Sequence, residues 1–298
     1  MQTNTWPIVW SPTHAARSRK KGNRHDNQRK DDSYVNPQSP QQFRDAADYT
    51  LADGSPALDV VCIFAGNYVT NEKPCLRANN NSPPTTKPFD DNIQAVLDDG
   101  SVKYLQDKGL TVLLSITNGQ HSVGWSEFTL ESDAMDFAQY LKEDVIDKYG
   151  LDGIDVDDEY SEGTPNETSL IMVTTKMREI MPDKVISKAL WDDSDYFEAN
   201  WNGHTLAGNL TYGAEMGYGG PPDDRLPPYT DYKLNKNQLS LGFWSHQASP
   251  NPDQDVKWLL DSGYAGIMIY AFETQDNVDL MGQLVNDWYG PGNWNPPE

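Results

Sequence analysis

Short apolar runs of strand length alternate with stretches of helical periodicity along most of this chain, and no two-residue hairpin turn joins one run to the next. Antiparallel strands can be linked by such a turn, whereas parallel strands need a long crossover. The alternation therefore constrains the fold to a parallel sheet with helices packed outside it. The clearest run, Leu58-Asp59-Val60-Val61-Cys62-Ile63-Phe64, is nearly continuous in apolar residues, as a strand covered on both faces should be. Residues 6–10 read as a first strand. Further strands are expected at 58–64, 111–115, 153–157, 184–190, 210–218, 239–244 and 265–270. Helices are expected at 91–108, where Ile93, Val96, Leu97, Val102 and Leu105 share a face, at 132–149 with Ser132 placed to cap it, and at 168–181, 253–262 and 277–288. Eight strands in this arrangement predict an α/β chain closed into a single (β/α)8 TIM-type barrel with irregular or shortened helices in places. The 298 residues suit one such domain, with 17–40 a flexible or inserted loop after strand one.

Charge narrows the partners. The formal net charge is −22, so a nucleic acid would be repelled, whereas a neutral sugar polymer does not feel the field. Seven basic residues crowd into 17–30; the expectation there is a solvated loop bordering the active face. No apolar run approaches 18 residues, which argues against a membrane-spanning helix. The first 30 residues lack the charged-then-apolar pattern of a leader. Composition leaves an exported protein without its leader and a cytosolic one equally open. Cys62 falls in an apolar strand and Cys75 in a polar loop, and a bridge and two free thiols both stay open. Zinc-type spacing is absent, and neither metal nor cofactor is expected.

The chemistry is concentrated in Asp152-Gly153-Ile154-Asp155-Val156-Asp157-Asp158-Glu159-Tyr160, which holds five carboxylates within eight residues. Along a strand, side chains alternate between faces. Asp155, Asp157 and Glu159 then share one face, and Ile154 and Val156 pack on the other. Like-charge repulsion within the row raises the pKa of at least one member, a property a general acid needs. A calcium loop would need glycine at its sixth position, where this sequence has Tyr160.

The stretch resembles the DGxDxDxE signature of glycoside hydrolase family 18, and its Asp158-Glu159-Tyr160 ending is most similar to the endoglycosidase H and F1 branch. Residues 49–54, 112–115, 148–153 and 181–184 resemble that branch in the same order. The resemblance implies an endo-β-N-acetylglucosaminidase acting on the core of N-linked, high-mannose or hybrid glycans by substrate-assisted retaining hydrolysis. A monomer is expected, secreted or at the cell surface with its leader removed, and a cytosolic location stays open. A chitinase of the same family and a non-catalytic glycan-binding barrel are the alternatives. By the same resemblance Glu159 is the general acid and base, Asp157 orients the acetamido group, Asp155 supports Asp157, and Tyr218 steadies the acetamido oxygen. Tyr270 stands where a chitinase carries tryptophan at the floor of the sugar site. Ser115, Asn118, Trp191, Trp244, Glu215 and Glu273 are expected to contact substrate. Trp125 is a further aromatic at the active face, and Gln120 and His121 lie in the loop beside Asn118. Parity places Asp152 and Asp158 on the opposite face of the strand.

Overall fold

A computed structural model describes residues 31–70, 74–78, 87–117, 124–159, 165–247, 251–272 and 277–297. Eight parallel strands form the wall: β1 (Asp32–Val35), β2 (Val60–Thr70), β3 (Thr111–Thr117), β4 (Gly153–Asp157), β5 (Val185–Leu190), β6 (Tyr212–Glu215), β7 (Leu239–Trp244) and β8 (Gly266–Tyr270). Each strand bonds to the next, β8 bonds to β1, and Tyr34 of β1 stands opposite Cys62 of β2, so the sheet closes into a barrel.

Seven of these strands fall where the apolar runs predict them. Strand one does not. The run at 6–10 lies outside the described residues, as does the basic segment 17–30, and the strand that closes the barrel comes from within the segment read as a loop. Asp32-Ser33-Tyr34-Val35 is buried throughout. Its inward residues are Asp32 and Tyr34, so it has no apolar alternation to betray it. The end of β2 also carries an antiparallel partner, Pro74–Arg77, which strand spacing did not suggest. Cys62 and Cys75 are both free thiols.

The two faces of the wall differ in kind. Val61, Ile63, Leu114, Ile116, Ile154, Val156, Ile186, Leu190, Leu241, Phe243, Ile267 and Ile269 point outward into one continuous apolar core beneath the helices. Inside the barrel sit a smaller apolar group, including Tyr34, Cys62, Leu113, Ala189, Tyr212 and Met268, and the buried polar residues Asp32, Ser115, Asp155, Asp157, Ser187 and Ser240. Gly153 is required at the foot of β4, because a Cβ there would lie 2.1 Å from the carbonyl oxygen of Val185.

The outer helices are uneven. The predicted 91–108 helix is two, Asp91–Asp98 and Ser101–Lys108, parted by Gly100 at φ 86°. Asp90 caps the first by accepting from the Ile93 N–H. The helix expected from Ser132 begins at Glu131, so Ser132 lies inside it, and it continues through a π-helical stretch, Leu141–Asp147. Ser169–Ile180, Pro252–Ser262 and Val278–Tyr289 match their predicted helices closely. After β5 and β6 only short helices follow: Ser194–Glu198, Leu206–Asn209, Pro222–Arg225 and Pro227–Asp231. No helix among the described residues is long and apolar enough to cross a membrane.

Candidate active site

The C-terminal ends of the strands open into a cavity lined by Tyr34, Phe64, Asp157, Glu159, Ala189, Met216, Tyr218, Trp244, Met268 and Tyr270. This is the end of a parallel barrel at which strand-end residues converge. Both acids of the predicted row that reach the rim, Asp157 and Glu159, line it.

Asp155 lies one layer below, fully buried. β4 is in register with β3 and β5 so that Ser115 and Ser187 flank Asp155. Both hydroxyls donate to it, Ser115 Oγ to Oδ2 at 2.9 Å and Ser187 Oγ to Oδ1 at 2.7 Å. Burial raises the Asp155 pKa, and these hydrogen bonds oppose the rise.

Asp157 is treated differently. It is 3% exposed, and its Oδ1 is buried with no hydrogen-bond partner among the described residues. Burial pushes its pKa well up, and the charges of Glu159 and Asp155 push it further. A carboxyl buried in this way favours its protonated form or a ligand that donates a hydrogen bond to it. Glu159, two residues on, is half-buried at the cavity wall.

Three rings from the ends of three other strands line the same cavity. Tyr218 stacks on Tyr270 with centroids 5.8 Å apart and planes 24° apart, and Trp244 packs against both at 6.2 and 6.4 Å. Phe64 meets Tyr270 edge-on at 5.4 Å. Burial, together with the charges of Asp157 and Glu159, raises the pKa of both tyrosines, so both phenols remain protonated donors at neutral pH. Gly242 permits this packing. A Cβ there would lie 2.1 Å from the Glu215 carbonyl oxygen and 3.1 Å from the Tyr218 ring.

The rim is strained where these residues sit. Tyr218 (φ 48°), Ala271 beside Tyr270 (φ 54°) and Asp192 beside Trp191 (φ 50°) all adopt the left-handed region, which costs a non-glycine residue energy and recurs at functional sites.

Other expected contacts fall elsewhere. Ser115 lies under the acid row bonded to Asp155, not in the cavity wall. Glu215 points out of the barrel, as alternation from Tyr212 and Ala214 requires, and its carboxylate is taken up by Arg225 and by the Gly217 N–H. It therefore anchors the turn that carries Tyr218. Trp125 is buried and donates to the Ile116 carbonyl at 2.7 Å, making it a core residue. Trp191 is 62% exposed at the end of β5, beside the cavity wall rather than in it. Asn118, Gln120, His121 and Glu273 lie outside the described residues. Asp152 accepts from the Val112 N–H at 2.8 Å and from Gln106 at 3.0 Å, a structural role at the foot of the barrel. Asp158 points outward, with Ser126 Oγ 3.4 Å away as donor.

Tyr34, Phe64, Ala189, Met216 and Met268 line the cavity without having been singled out. Parity would have found four of them, since each is an inward position near the end of a predicted strand. No group of three or more His, Cys, Asp or Glu side chains among the described residues is placed to hold a metal ion.

Comparison with known proteins follows this geometry. Residues 38–209 match the family model of the endo-beta-N-acetylglucosaminidase EndoS TIM-barrel domain. An endo-beta-N-acetylglucosaminidase of Flavobacterium sp. (strain SK1022) is 32% identical over 263 residues, 84% of this chain and 77% of the relative. Endo-beta-N-acetylglucosaminidase F1 of Elizabethkingia meningoseptica is 28% identical over 253 residues, 79% of this chain and 69% of the relative. Among solved structures, Bacteroides thetaiotaomicron EndoBT-3987 with its Man5GlcNAc product superposes with a TM-score of 0.72 at 20% identity, over 91% of this chain and 63% of that one. This chain, with its paired acids at the mouth of a closed barrel, is a glycoside hydrolase that belongs to the endo-β-N-acetylglucosaminidase family.

Proposed function

We propose that this chain hydrolyses the GlcNAc-β1,4-GlcNAc core bond of N-linked glycans, high-mannose or hybrid ones in particular, and leaves one GlcNAc on the asparagine. The observation that carries this reading is the buried Asp157 Oδ1, without a hydrogen-bond partner among the described residues, beside Glu159 in a cavity that aromatic rings also line. An enzyme that used a carboxylate nucleophile would need a second acid on the opposite face of the sugar. Among the described residues the only acids lining the cavity are Asp157 and Glu159, neighbours on one face of β4; the rest of the lining is aromatic or apolar, Tyr218, Tyr270 and Trp244 included.

A substrate that brings its own nucleophile fits the arrangement. Glu159 gives its proton to the leaving glycosidic oxygen as the C1–O bond breaks. The carbonyl oxygen of the 2-acetamido group bonds to C1 on the other face and closes an oxazolinium ring. Asp157 accepts a hydrogen bond from the acetamido N–H as positive charge grows there, an interaction stronger in the transition state than in the ground state. The Tyr218 phenol donates to the acetamido oxygen, and Tyr270 packs under the ring. Water then attacks C1 and passes its proton to Glu159 while the ring reopens. Two inversions at C1 retain its configuration.

The test is mass spectrometry of a glycoprotein bearing defined high-mannose N-glycans after incubation with the enzyme. The expected product is a peptide carrying a single GlcNAc at each site. Intact glycopeptide beside cleaved chitin oligomers would overturn the N-glycan assignment. Asp157→Asn should hydrolyse natural substrate slowly yet still consume preformed glycan oxazoline. Equal loss on both substrates would reject the role given to Asp157.

A further inference from the structure

One buried cation has no part in this scheme. Lys188 lies on the outer face of β5 between Ile186 and Leu190, is 1% exposed, and stands in register with Val156, the residue between Asp155 and Asp157. Its Nζ donates to the Ala189 carbonyl at 2.7 Å and pairs with Asp193 Oδ1 at 2.8 Å. Asp193 is itself 4% exposed, and its Oδ2 accepts the Trp191 N–H at 2.7 Å. The pair therefore bridges the back of the strand wall to the turn at the rim. Desolvating two charges is costly, and a methionine would fill similar volume among Ile186, Val156 and Leu190 without that cost. Stability alone gives no reason to keep a lysine here.

We propose that Lys188 is a positioning residue for the acid row of β4: paired with Asp193 behind the wall, it fixes the 191–193 turn and keeps the Asp193 charge balanced behind Asp157. The titratable groups facing Lys188 are Asp193, Asp158 and Asp157, with Asp155 and Tyr196 also within reach of its charge. Burial pushes the Lys188 pKa down, and the charges of Asp193, Asp158 and Asp157 more than reverse this, so the ammonium stays charged. Its charge in turn works against the rise of Asp157 and of Asp155.

This inference rests on the substrate-assisted reading, in which Asp157 accepts the acetamido N–H and its ionisation sets the acidic limb of the pH profile. The experiment compares kcat/KM against pH on a high-mannose glycopeptide for the wild type, Asp193→Asn and the double variant Lys188→Met with Asp193→Asn. Thermal unfolding checks that each is folded. Asparagine can still accept the Trp191 N–H but leaves the lysine charge unbalanced, so the acidic limb should move to lower pH by on the order of half a unit. In the double variant the excess charge is gone, and that limb should return toward the wild-type position. If Asp193→Asn does not fold, Lys188→Met alone carries the test, with the acidic limb moving to higher pH. Lower kcat with an unmoved acidic limb would make the pair a structural prop and overturn the proposal. A shift that persists in the double variant would overturn it equally. A wild type with no turnover of the glycopeptide overturns the functional reading and this inference together; an active wild type whose acidic limb the variants share overturns only this one.

Discussion

Ile154 and Val156 on the outer face of β4 and Asp155 and Asp157 on its inner face are buried almost equally, yet burial acts on them with opposite sign. Each apolar group taken from water contributes roughly 0.8 kcal/mol per methylene. Each carboxyl taken from water loses hydration that only a hydrogen bond or a counter-charge restores. Ser115 and Ser187 restore part of it for Asp155, whereas Asp157 Oδ1 has no partner among the described residues. One strand thus places the residues that hold the barrel together on one side and those that give it chemistry on the other. The price of the second is met by the first.

That contrast can be broken by substitution on either face. The largest effect is expected from Glu159→Gln, which should lower kcat by about 10²–10⁴-fold while leaving the melting temperature near the wild-type value. Substantial residual turnover would remove Glu159 from the role of acid. Ile154→Ala on the outer face should do the reverse, destabilising the fold by about 2–5 kcal/mol in urea titration with kcat unchanged below the transition. A collapse of kcat in fully folded protein would mean that the faces are not separable.

Asp157→Asn sharpens the comparison through pH. The Asp157 pKa is raised in the folded protein, so the native state holds its proton at pH values where the unfolded chain has lost it. Its contribution to stability is therefore present below the ordinary carboxyl value of about 3.9 and is lost as pH rises through the folded-state value. The asparagine variant should melt higher than wild type at pH 7, and the gap should close as pH falls toward 4. A variant that melts lower at pH 7 would mean that Asp157 is held by favourable interactions after all. The smallest effect is expected for Ser187→Ala, which removes one of two hydroxyls on Asp155 and should cost about 1 kcal/mol by denaturant midpoint. A loss as large as that of Ile154→Ala would put inner hydrogen bonds on a par with the outer core.

The same two faces explain what could be read from sequence. Outward residues such as Ile63, Leu114, Ile154 and Leu241 belong to an apolar core, and apolar runs announced their strands. Asp32 and Tyr34 do not announce theirs, because the lumen they enter mixes polar and apolar side chains, and the apolar run at 6–10 is the stronger strand signal. At the site, alternation from Asp155 put Asp157 and Glu159 on one face without any coordinates. The same counting applied to β6 would have turned Glu215 outward toward Arg225. Lys188 escaped notice for a different reason. A lone lysine in an apolar strand carries no spacing signal, and its partner Asp193 is brought to it by the turn after β5, a tertiary event.

The seam between β1 and β8 has a consequence for how the molecule comes to exist. The Ile267 N–H donates to Asp31 Oδ1 across a separation of 236 residues, so the ring is sealed only when nearly the whole chain is at hand. Until then the nascent polypeptide presents two raw sheet edges, one at each end of an unrolled wall, open to pairing with any neighbour. Tyr270 arrives with the closing strand. Synthesis halted before that point would yield a product lacking both its seal and part of its sugar platform, a natural target for chaperones and proteases rather than a partly active enzyme.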